Sequence, residues 1–539
     1  MKKYRIDLLI IVLVLSVFFG VSCSKLSNGE HIVDIYSTND IHGKYFDSLY
    51  IGNQINKASL ANISYYIKKV KKEGENPVLI DVGDHLQGDN AAYYFNYIDT
   101  IDEHIFSRAA NYMGYDAIVV GNHDLETGHA VYDKVRRELK APYLAANAII
   151  TEGENKGQAY FDRYVIVKRG RVKIAIIGMT NPNIKNWLSP NLWSGMAFVS
   201  LQDITQDLVN EVIEKEQPHI VVIAAHVGKG TGVETDIENS AKFMAKTLKG
   251  VDIIFCAHDH RKFNKIIKNP NGNILVMNSG SVARLLSHAK VILNVKNGKV
   301  VSKNIESKFI ATIKAPVDYD YLKYFREDFE KVKAFTTISI GYLKETINSK
   351  DALYGPSSYL NFIHTVQLKS SEAQISFAAP LTITNIVREG TLTYQDLFSL
   401  YPYENQLYVI NMTGKQIKDY LEYSYSIWIN KKGPFFNYAS ADGIIYEVSR
   451  SSKDGNRVRI KSMCDGTVFD ENMVYKVAIN SYRANGGGDI LRLGACIDPE
   501  KLDEILVAKH SEVRALIFDY IVKEREIYPK ASTNWNFVI

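Results

Sequence analysis

The chain has 539 residues, 46% of them hydrophobic and 23% charged. This is an ordinary globular composition with room for two to four domains, and it sets aside disordered and low-complexity chains. A formal net charge of +4 is small for that length and gives no reason to invoke a nucleic-acid polymer as partner.

The first residues read as an export signal. Lys2, Lys3 and Arg5 form a basic end and 8–21 is an apolar run, too short for a membrane span and suited to a signal segment. The run closes on Gly20-Val21-Ser22-Cys23. Small residues before a Cys are similar to a bacterial lipoprotein cleavage site, with Cys23 as the lipidated residue; ordinary cleavage nearby and an uncleaved anchor are the alternatives. Residues 1–23 are therefore set apart, and the expected location is periplasmic or cell-surface, with membrane contact only through the anchor. The other cysteines, Cys256, Cys464 and Cys496, match no zinc-ribbon spacing. Export permits a Cys464–Cys496 disulfide, and three unrelated buried thiols are the alternative.

From His31 the chain repeats one pattern, an apolar strand followed at once by metal-ligand residue types. Residues 31–38 alternate as a strand and lead into Asp40-x-His42; on an extended chain these two project to one side. After a helix at 60–72, the run 78–80 leads to Asp81-Val82-Gly83-Asp84-His85. A carboxylate at Asp84 can bridge two cations; Asp81 reads as structural, and His85 as a bystander or a further ligand. The run 117–120 ends in Gly121-Asn122-His123-Asp124, with a helix expected over 127–139. Strands follow at 143–147 and 172–178 and a helix at 204–216. Strand 220–225 ends in His226, and after a helix over 237–248 a fifth strand ends in His258-Asp259-His260. Strands at 274–277 and 289–295 complete this half. In open α/β folds the carboxyl ends of strands are where ligands bind, and oxygen ligands mixed with imidazoles suit Zn, Mn, Fe or Co. Seven ligands with one bridging carboxylate fit two divalent ions about 3.5–4 Å apart.

Asp40-x-His42, Gly83-Asp84, Gly121-Asn122-His123-Asp124, His226 and Ala257-His258-x-His260 resemble the signature of the calcineurin-like metallophosphoesterases. The resemblance implies that Asp40, His42, Asp84 and His260 hold one metal and Asp84, Asn122, His226 and His258 the other. It makes His123 the catalytic histidine beside the scissile phosphate, with Asn122 also facing substrate. Relatives often read Gly-Asn-His-Glu-Phe-Asp over the stretch that here runs from Gly121 to Glu126, so the acid that orients His123 is Glu126, a Glu in place of the usual Asp.

Around Ala315-Pro316 the pattern changes. Residues 311–334 read as a linker helix, 335–347 as alternating strand, and 335–539 as a second domain. Within it, 359–366 suggests a helix, 373–380 a buried strand and 407–411 a strand, and Thr413 reads as the N-cap of a helix over 416–423. Aromatics with glycines stand out at Pro434-Phe435-Phe436-Asn437-Tyr438 and at Asn480-Ser481-Tyr482 through Asp489. They could clamp a flat ring or simply fill a core.

From about His31 onward the chain resembles the two-domain 5′-nucleotidase family. Ser376-Phe377-Ala378-Ala379-Pro380, Tyr401-Pro402-Tyr403-Glu404-Asn405 and Asn480-Ser481-Tyr482-Arg483-Ala484 are most like the 2′,3′-cyclic-nucleotide 2′-phosphodiesterase/3′-nucleotidase branch. The 5′-nucleotidase branch carries Asn-Gly-Gly-x-Arg where this chain reads Ala378-Ala379-Pro380-Leu381, without the Arg. The resemblance implies a four-layer α/β/β/α metallophosphoesterase domain (31–310), an α+β C-terminal domain that binds the nucleobase between Phe436 (or its neighbour Phe435) and Tyr482, and hydrolysis of nucleoside monophosphates or 2′,3′-cyclic nucleotides. Nucleotide sugars or other organic phosphates as substrates, and a silent nucleotide-binding lipoprotein, are the competing readings.

Overall fold

The computed structural model describes residues 26–50 and 58–539; Cys23 and the export segment lie outside them. The first half is built on two six-stranded sheets. Its strands are β1 (Gly29–Thr38), β2 (Val78–Asp81), β3 (Ala117–Val119), β4 (Tyr143–Leu144), β5 (Tyr164–Arg169), β6 (Val172–Met179), β7 (Ile220–Ala225), β8 (Ile253–Cys256), β9 (Phe263–Ile267), β10 (Ile274–Asn278), β11 (Leu286–Lys296) and β12 (Lys299–Ile310). One sheet has the order β12-β11-β1-β2-β3-β4 and the other β9-β10-β8-β7-β6-β5. Strands β1 to β4 are parallel to one another, as are β6, β7, β8 and β10, so the carboxyl ends of these strands within each sheet share one edge.

The strands read as near-continuous apolar runs because both faces are buried. Val33, Ile35, Ile80 and Val119 of one sheet meet Ile174, Ile176, Val222 and Phe255 of the other in a core between the sheets. The alternate residues Tyr36, Leu79 and Ile118 pack under helices Leu60–Lys72, Ile105–Met113 and His129–Glu138. Ala175, Ile177, Val221 and Ile223 pack under Leu201–Glu216 and Ala241–Thr247. The layers are therefore α/β/β/α.

The expected linker is two helices, Tyr319–Tyr324 and Arg326–Thr336, and both belong to the first half's core. Tyr321, Phe325 and Val332 are buried in it. Asp318 caps the first helix and accepts from Lys68 and Ser64, and Arg108 donates to Asp328 at 2.6 Å. The helix thus extends into the stretch expected to alternate as strand, because its apolar residues have a face to bury.

The second half centres on β13 (Ile375–Ala378), β14 (Gln406–Thr413), β15 (Ser440–Asp442), β16 (Val474–Asn480) and β17 (Leu506–Glu512) in the order β15-β13-β16-β14-β17. Helix Gly414–Ile429 covers one face; Ser358–Lys369 and Val513–Glu524 cover the other. Thr413 caps its helix, accepting from Gln416 N at 3.2 Å. Cys464 and Cys496 are free thiols, which settles the pairing question against a disulfide, but of the three cysteines only Cys256 is buried as expected. Among the described residues no helix is long and apolar enough to cross a membrane.

The two sheets of the first half approach closely where β6 passes β4. A Cβ on Gly178 would lie 2.1 Å from Leu144 Cβ. Gly178→Ala is expected to force the sheets apart and lower stability by about 2–3 kcal/mol, read as a lower urea midpoint at an unchanged slope.

Candidate metal centre and its neighbouring cleft

The five strand ends singled out in the sequence come from both sheets. Asp40 and His42 follow β1, Asp84 follows β2, and Asn122 and His123 follow β3. His226 follows β7, and His258 and His260 follow β8. The face-to-face packing of the sheets brings the two groups together. Ligand atoms of Asp40, His42, Asp84 and His260 all lie within 4.8 Å of one another. His226 Nε2 is 3.1 Å from Asp84 Oδ2 and 3.9 Å from Asp40 Oδ1, and His258 Nδ1 is 2.9 Å from Asn122 Oδ1.

Asp40 and His42 do not reach one side by extension. Strand β1 ends at Thr38, and both residues have φ of 50°, in the left-handed region. Asp84, His258 and His260 share that region, with φ of 64°, 66° and 53°. Five of the seven ligand candidates thus hold a conformation unfavourable for a side-chain-bearing residue. Tight turns aim their side chains inward, and close glycines permit them: a Cβ on Gly121 would stand 2.1 Å from Asp84 Oδ1.

The hydrogen bonds of three histidines define what the gap between them can hold. His42 Nδ1 donates to the Gln87 carbonyl at 3.2 Å and His226 Nδ1 to the Val82 carbonyl at 2.6 Å, while His258 Nε2 meets Glu238 Oε1 at 3.0 Å. Each outer partner is an acceptor, so the inner nitrogen carries a lone pair. His42 Nε2 lies 3.0 Å from His260 Nε2. His226 Nε2 is buried without a hydrogen-bond partner, facing Asp84. A buried nitrogen that faces a carboxylate without a hydrogen bond calls for a positive charge between them, and an imidazole fixed by an outer acceptor is how a metal-binding histidine is held. Titration follows the same geometry. Burial pushes His42 down to about 4. Burial also opposes charge on His226, but Asp84 and then Asp40 outweigh it and raise its pKa to about 9. Burial likewise opposes the Asp84 carboxylate, and the surrounding histidines, His226 and His123 first, hold it well below its usual range. The donor set fits divalent ions.

Beside the ligands, His123 Nδ1 is 2.6 Å from Glu126 Oε2, so Glu126 reaches the histidine despite replacing a shorter acid. Burial opposes the imidazolium, but Glu126, Asp84 and Glu404 together raise His123 to about 10. Asp124 does something else: its carboxylate accepts backbone N–H from Asp84, His85, Leu86 and Gly121 at 2.8–3.0 Å, tying the second and third strand ends together. Asp81 is structural, accepting from Gly83 N at 2.7 Å and Thr38 Oγ1 at 2.5 Å. His85 pairs with Asp81 and stacks on Phe106, away from the ligands.

The second half closes over this site. Gln87 Nε2 donates to the Pro402 carbonyl at 3.0 Å, and the Tyr403 ring lies nearly parallel to His123 at 6.3 Å. The Phe436 and Tyr482 rings share the Arg483 guanidinium, 5.9 and 5.2 Å from their centroids. Gly487 gives Tyr482 room, since a Cβ there would sit 2.5 Å from ring carbons. The structure therefore brings the two rings to one place. Asn437 Oδ1 and Asn485 Nδ2, buried and without partners, lie in the same two stretches.

Sequence reasoning gave no role to Asn39, Glu238, Trp187, Tyr403 or Arg514. Asn39 Nδ2 donates to Asp40 Oδ2 at 2.6 Å and to the Gly280 carbonyl; its place beside Asp40 was the available signal. Glu238 stands in a loop where a helix over 237–248 was expected; the helix is Ala241–Thr247. The loop before it is anchored to strand ends, with Glu238 O accepting from Asn181 Nδ2 and Gly228 N.

Comparison with known proteins agrees with this geometry. Residues 34–262 match the model of the calcineurin-like phosphoesterases and residues 339–493 that of the 5′-nucleotidase C-terminal domain. The chain belongs to the two-domain nucleotidase family, a metallophosphoesterase domain followed by a 5′-nucleotidase C-terminal domain. Enzymes of this family are phosphoric ester hydrolases, and their calcineurin-like domain uses divalent metals. The chain is 25% identical over 94% of its length to the trifunctional nucleotide phosphoesterase YfkN of Bacillus subtilis, but spans only 39% of that relative. It is 26% identical to the 2′,3′-cyclic-nucleotide 2′-phosphodiesterase/3′-nucleotidase of Salmonella typhimurium, covering 93% of this chain and 88% of that one. The crystal structure of a putative 5′-nucleotidase from Staphylococcus aureus shares the fold with a TM-score of 0.80 at 22% identity, over 94% of this chain and all of that one.

At the boundary between the halves, Arg514 is buried over Phe398 and Tyr93 and pairs with Glu404 at 3.0 Å. Glu512 lies nearby with one carboxylate oxygen buried and unpartnered. Burial, then Glu404, raise Glu512 to about 7, against the pull of Arg514. A carboxyl with a raised folded pKa binds its proton more tightly in the native state, so stability falls as pH rises from the ordinary value of 4.5 to about 7. Glu512→Gln is expected to raise stability at pH 8 by on the order of 2 kcal/mol, with no gain at pH 5, measured by thermal melts at the two pH values.

Proposed function

We propose that the chain hydrolyses nucleotides, removing phosphate from nucleoside 3′-monophosphates and opening 2′,3′-cyclic nucleotides, with two divalent ions bound by the seven clustered residues. Asp40, His42, Asp84 and His260 hold one ion; Asp84, Asn122, His226 and His258 hold the other. The observation that carries the reading is the inward set of lone pairs on His42, His226 and His258 around two buried carboxylates, with a histidine–carboxylate pair beside it. When bound, the ions neutralise phosphate charge and acidify water.

The protein's own groups do the rest. Glu126 accepts from His123 Nδ1 and so turns Nε2 of that ring outward as a proton donor for the leaving oxygen, or as a positive partner for charge that develops on phosphate. The hydrogen bond from His123 N to Asp84 Oδ1, 2.9 Å, fixes this residue to the bridging carboxylate. Phe436 and Tyr482 stack on the base, and that affinity holds the phosphate in line for attack. Tyr403, whose ring lies nearly parallel to that of His123, faces the sugar. Two points support the 3′ and cyclic preference: the Salmonella relative with that activity aligns along nearly its whole length, and Ala378-Ala379-Pro380-Leu381 carries no Arg for a 5′-phosphate.

Purified protein reconstituted with Mn, Co or Zn is expected to turn over 3′-AMP and 2′,3′-cyclic AMP faster than AMP or UDP-glucose. Preference for AMP or UDP-glucose would move the substrate to another branch, and no turnover of any of the four would end the enzyme reading. His123→Ala is expected to retain two ions per chain and lose about 10²–10⁴-fold in kcat; loss of an ion instead would make His123 a ligand.

A further inference from the structure

His258 stands apart among the ligand candidates because its outer partner is a charged side chain. Backbone carbonyls hold His42 and His226. For His258 the partner is the Glu238 carboxylate, 3.0 Å from Nε2, supplied by the loop between β7 and helix Ala241–Thr247. The loop is pinned at its base: Glu238 O accepts from Gly228 N and Asn181 Nδ2, each at 3.2 Å, and Ala241 N donates to Gly228 O. The Trp187 indole covers one face of the His258 ring, 5.1 Å away and inclined by 17°. His258 also has a left-handed backbone, φ 66°, so its own main chain gives it little reason to adopt this pose. Ring orientation and tautomer are therefore set from outside, by one carboxylate and one indole.

We propose that Glu238 is a positioning residue for the metal centre: it holds His258 in the tautomer with hydrogen on Nε2, so that Nδ1 faces the second ion beside Asn122. The inference rests on the two-ion reading above. A neutral imidazole can carry its proton on either nitrogen, and only one choice leaves Nδ1 free. Without an acceptor at Nε2, the proton can reside on Nδ1, where it hydrogen-bonds Asn122 Oδ1 at 2.9 Å and blocks the ion. An ionised acceptor also makes the bond stronger and the ring a better donor to a cation. The Glu238 side chain is 42% exposed on the cleft side, and its charge reaches the Tyr482 phenol across the cleft. The same carboxylate therefore stands where the metal centre meets the proposed base clamp, and its orientation of His258 stays open to solvent exchange.

The test measures metal binding, not turnover. Full-length wild type, Glu238→Ala, Glu238→Asp and Glu238→Gln are stripped with chelator and reloaded by equilibrium dialysis against Co or Zn, with ions per chain and the visible spectrum of the Co form recorded. Wild type is expected to bind two ions. Glu238→Ala, and Glu238→Asp, whose shorter arm does not reach Nε2, are expected to keep one ion at wild-type affinity and to bind the other 10–100-fold more weakly. Glu238→Gln, whose amide oxygen accepts the same N–H, is expected to recover most of that loss. Wild-type affinity for both ions in either Glu238→Ala or Glu238→Asp overturns the inference and leaves the proposed function standing, as does a Glu238→Gln that binds no better than Glu238→Asp. A wild type that binds fewer than two ions fails the two-ion reading itself. If Glu238→Ala does not fold, the contrast between the Asp and Gln variants decides.

Discussion

Two carboxylates and three imidazole lone pairs point into one buried gap, and the rest of the molecule is arranged to tolerate this. Asp40, Asp84 and His226 are essentially without solvent contact. Removing such groups from water costs several kcal/mol apiece unless charge compensates. The carboxylates favour a positive partner in the gap: against the opposing effect of burial, Asp84 raises His226 and Asp40 raises His260, while burial lowers His42. A divalent ion does the same job better, since every inward atom is then a ligand. The left-handed residues and the close approach of Gly121 to Asp84 are strain that such an attraction can sustain.

The scaffold explains why the ligands divide as they do. Each parallel sheet presents its carboxyl ends on one edge, and stacking two sheets puts two such edges side by side. Asp84 comes from the strand end of one sheet and meets His226 from the other. Asp124 and Asn39, neither of them aimed at the gap, hold the loops in register through backbone and side-chain hydrogen bonds.

The second domain contacts the first both at the site and away from it, where Asn90 meets Gln395 and Tyr93 meets Tyr394. Tyr403 lies over His123, Pro402 accepts from Gln87, and the Arg514–Glu404 pair is sealed between Tyr93 of the first domain and Phe398 of its own. Burying one cation among Glu404, Glu512 and Glu126 leaves a carboxyl excess, which adds to burial in raising Glu404 and Glu512. That excess favours a protonated His123. The domain contact therefore acts on the His123–Glu126 pair electrostatically as well as by shape.

Much of this was legible in the chain. Apolar runs that end abruptly in Asp, Asn or His announce strand ends over a site, because ligands on an α/β sheet gather there and because a buried run has no other reason to stop at a charge. Helix 60–72 was read to the residue, since its apolar face repeats at helical spacing and Lys69, Lys71 and Lys72 close it. Local signals failed where local geometry departed from the regular elements: Asp40 and His42 are joined by left-handed turns, the loop carrying Glu238 only mimics a helix, and the linker helices bury a face that only the folded first domain provides. By itself the sequence determined which residue types stand at which strand ends, and hence the class of chemistry. Tertiary structure alone decided that two sheets, not one, supply the ligands, that Cys464 and Cys496 stay apart, and that Glu238, Trp187 and Tyr403 reach the site. Those outcomes depend on distances between residues far apart in the chain, which periodicity and spacing do not encode.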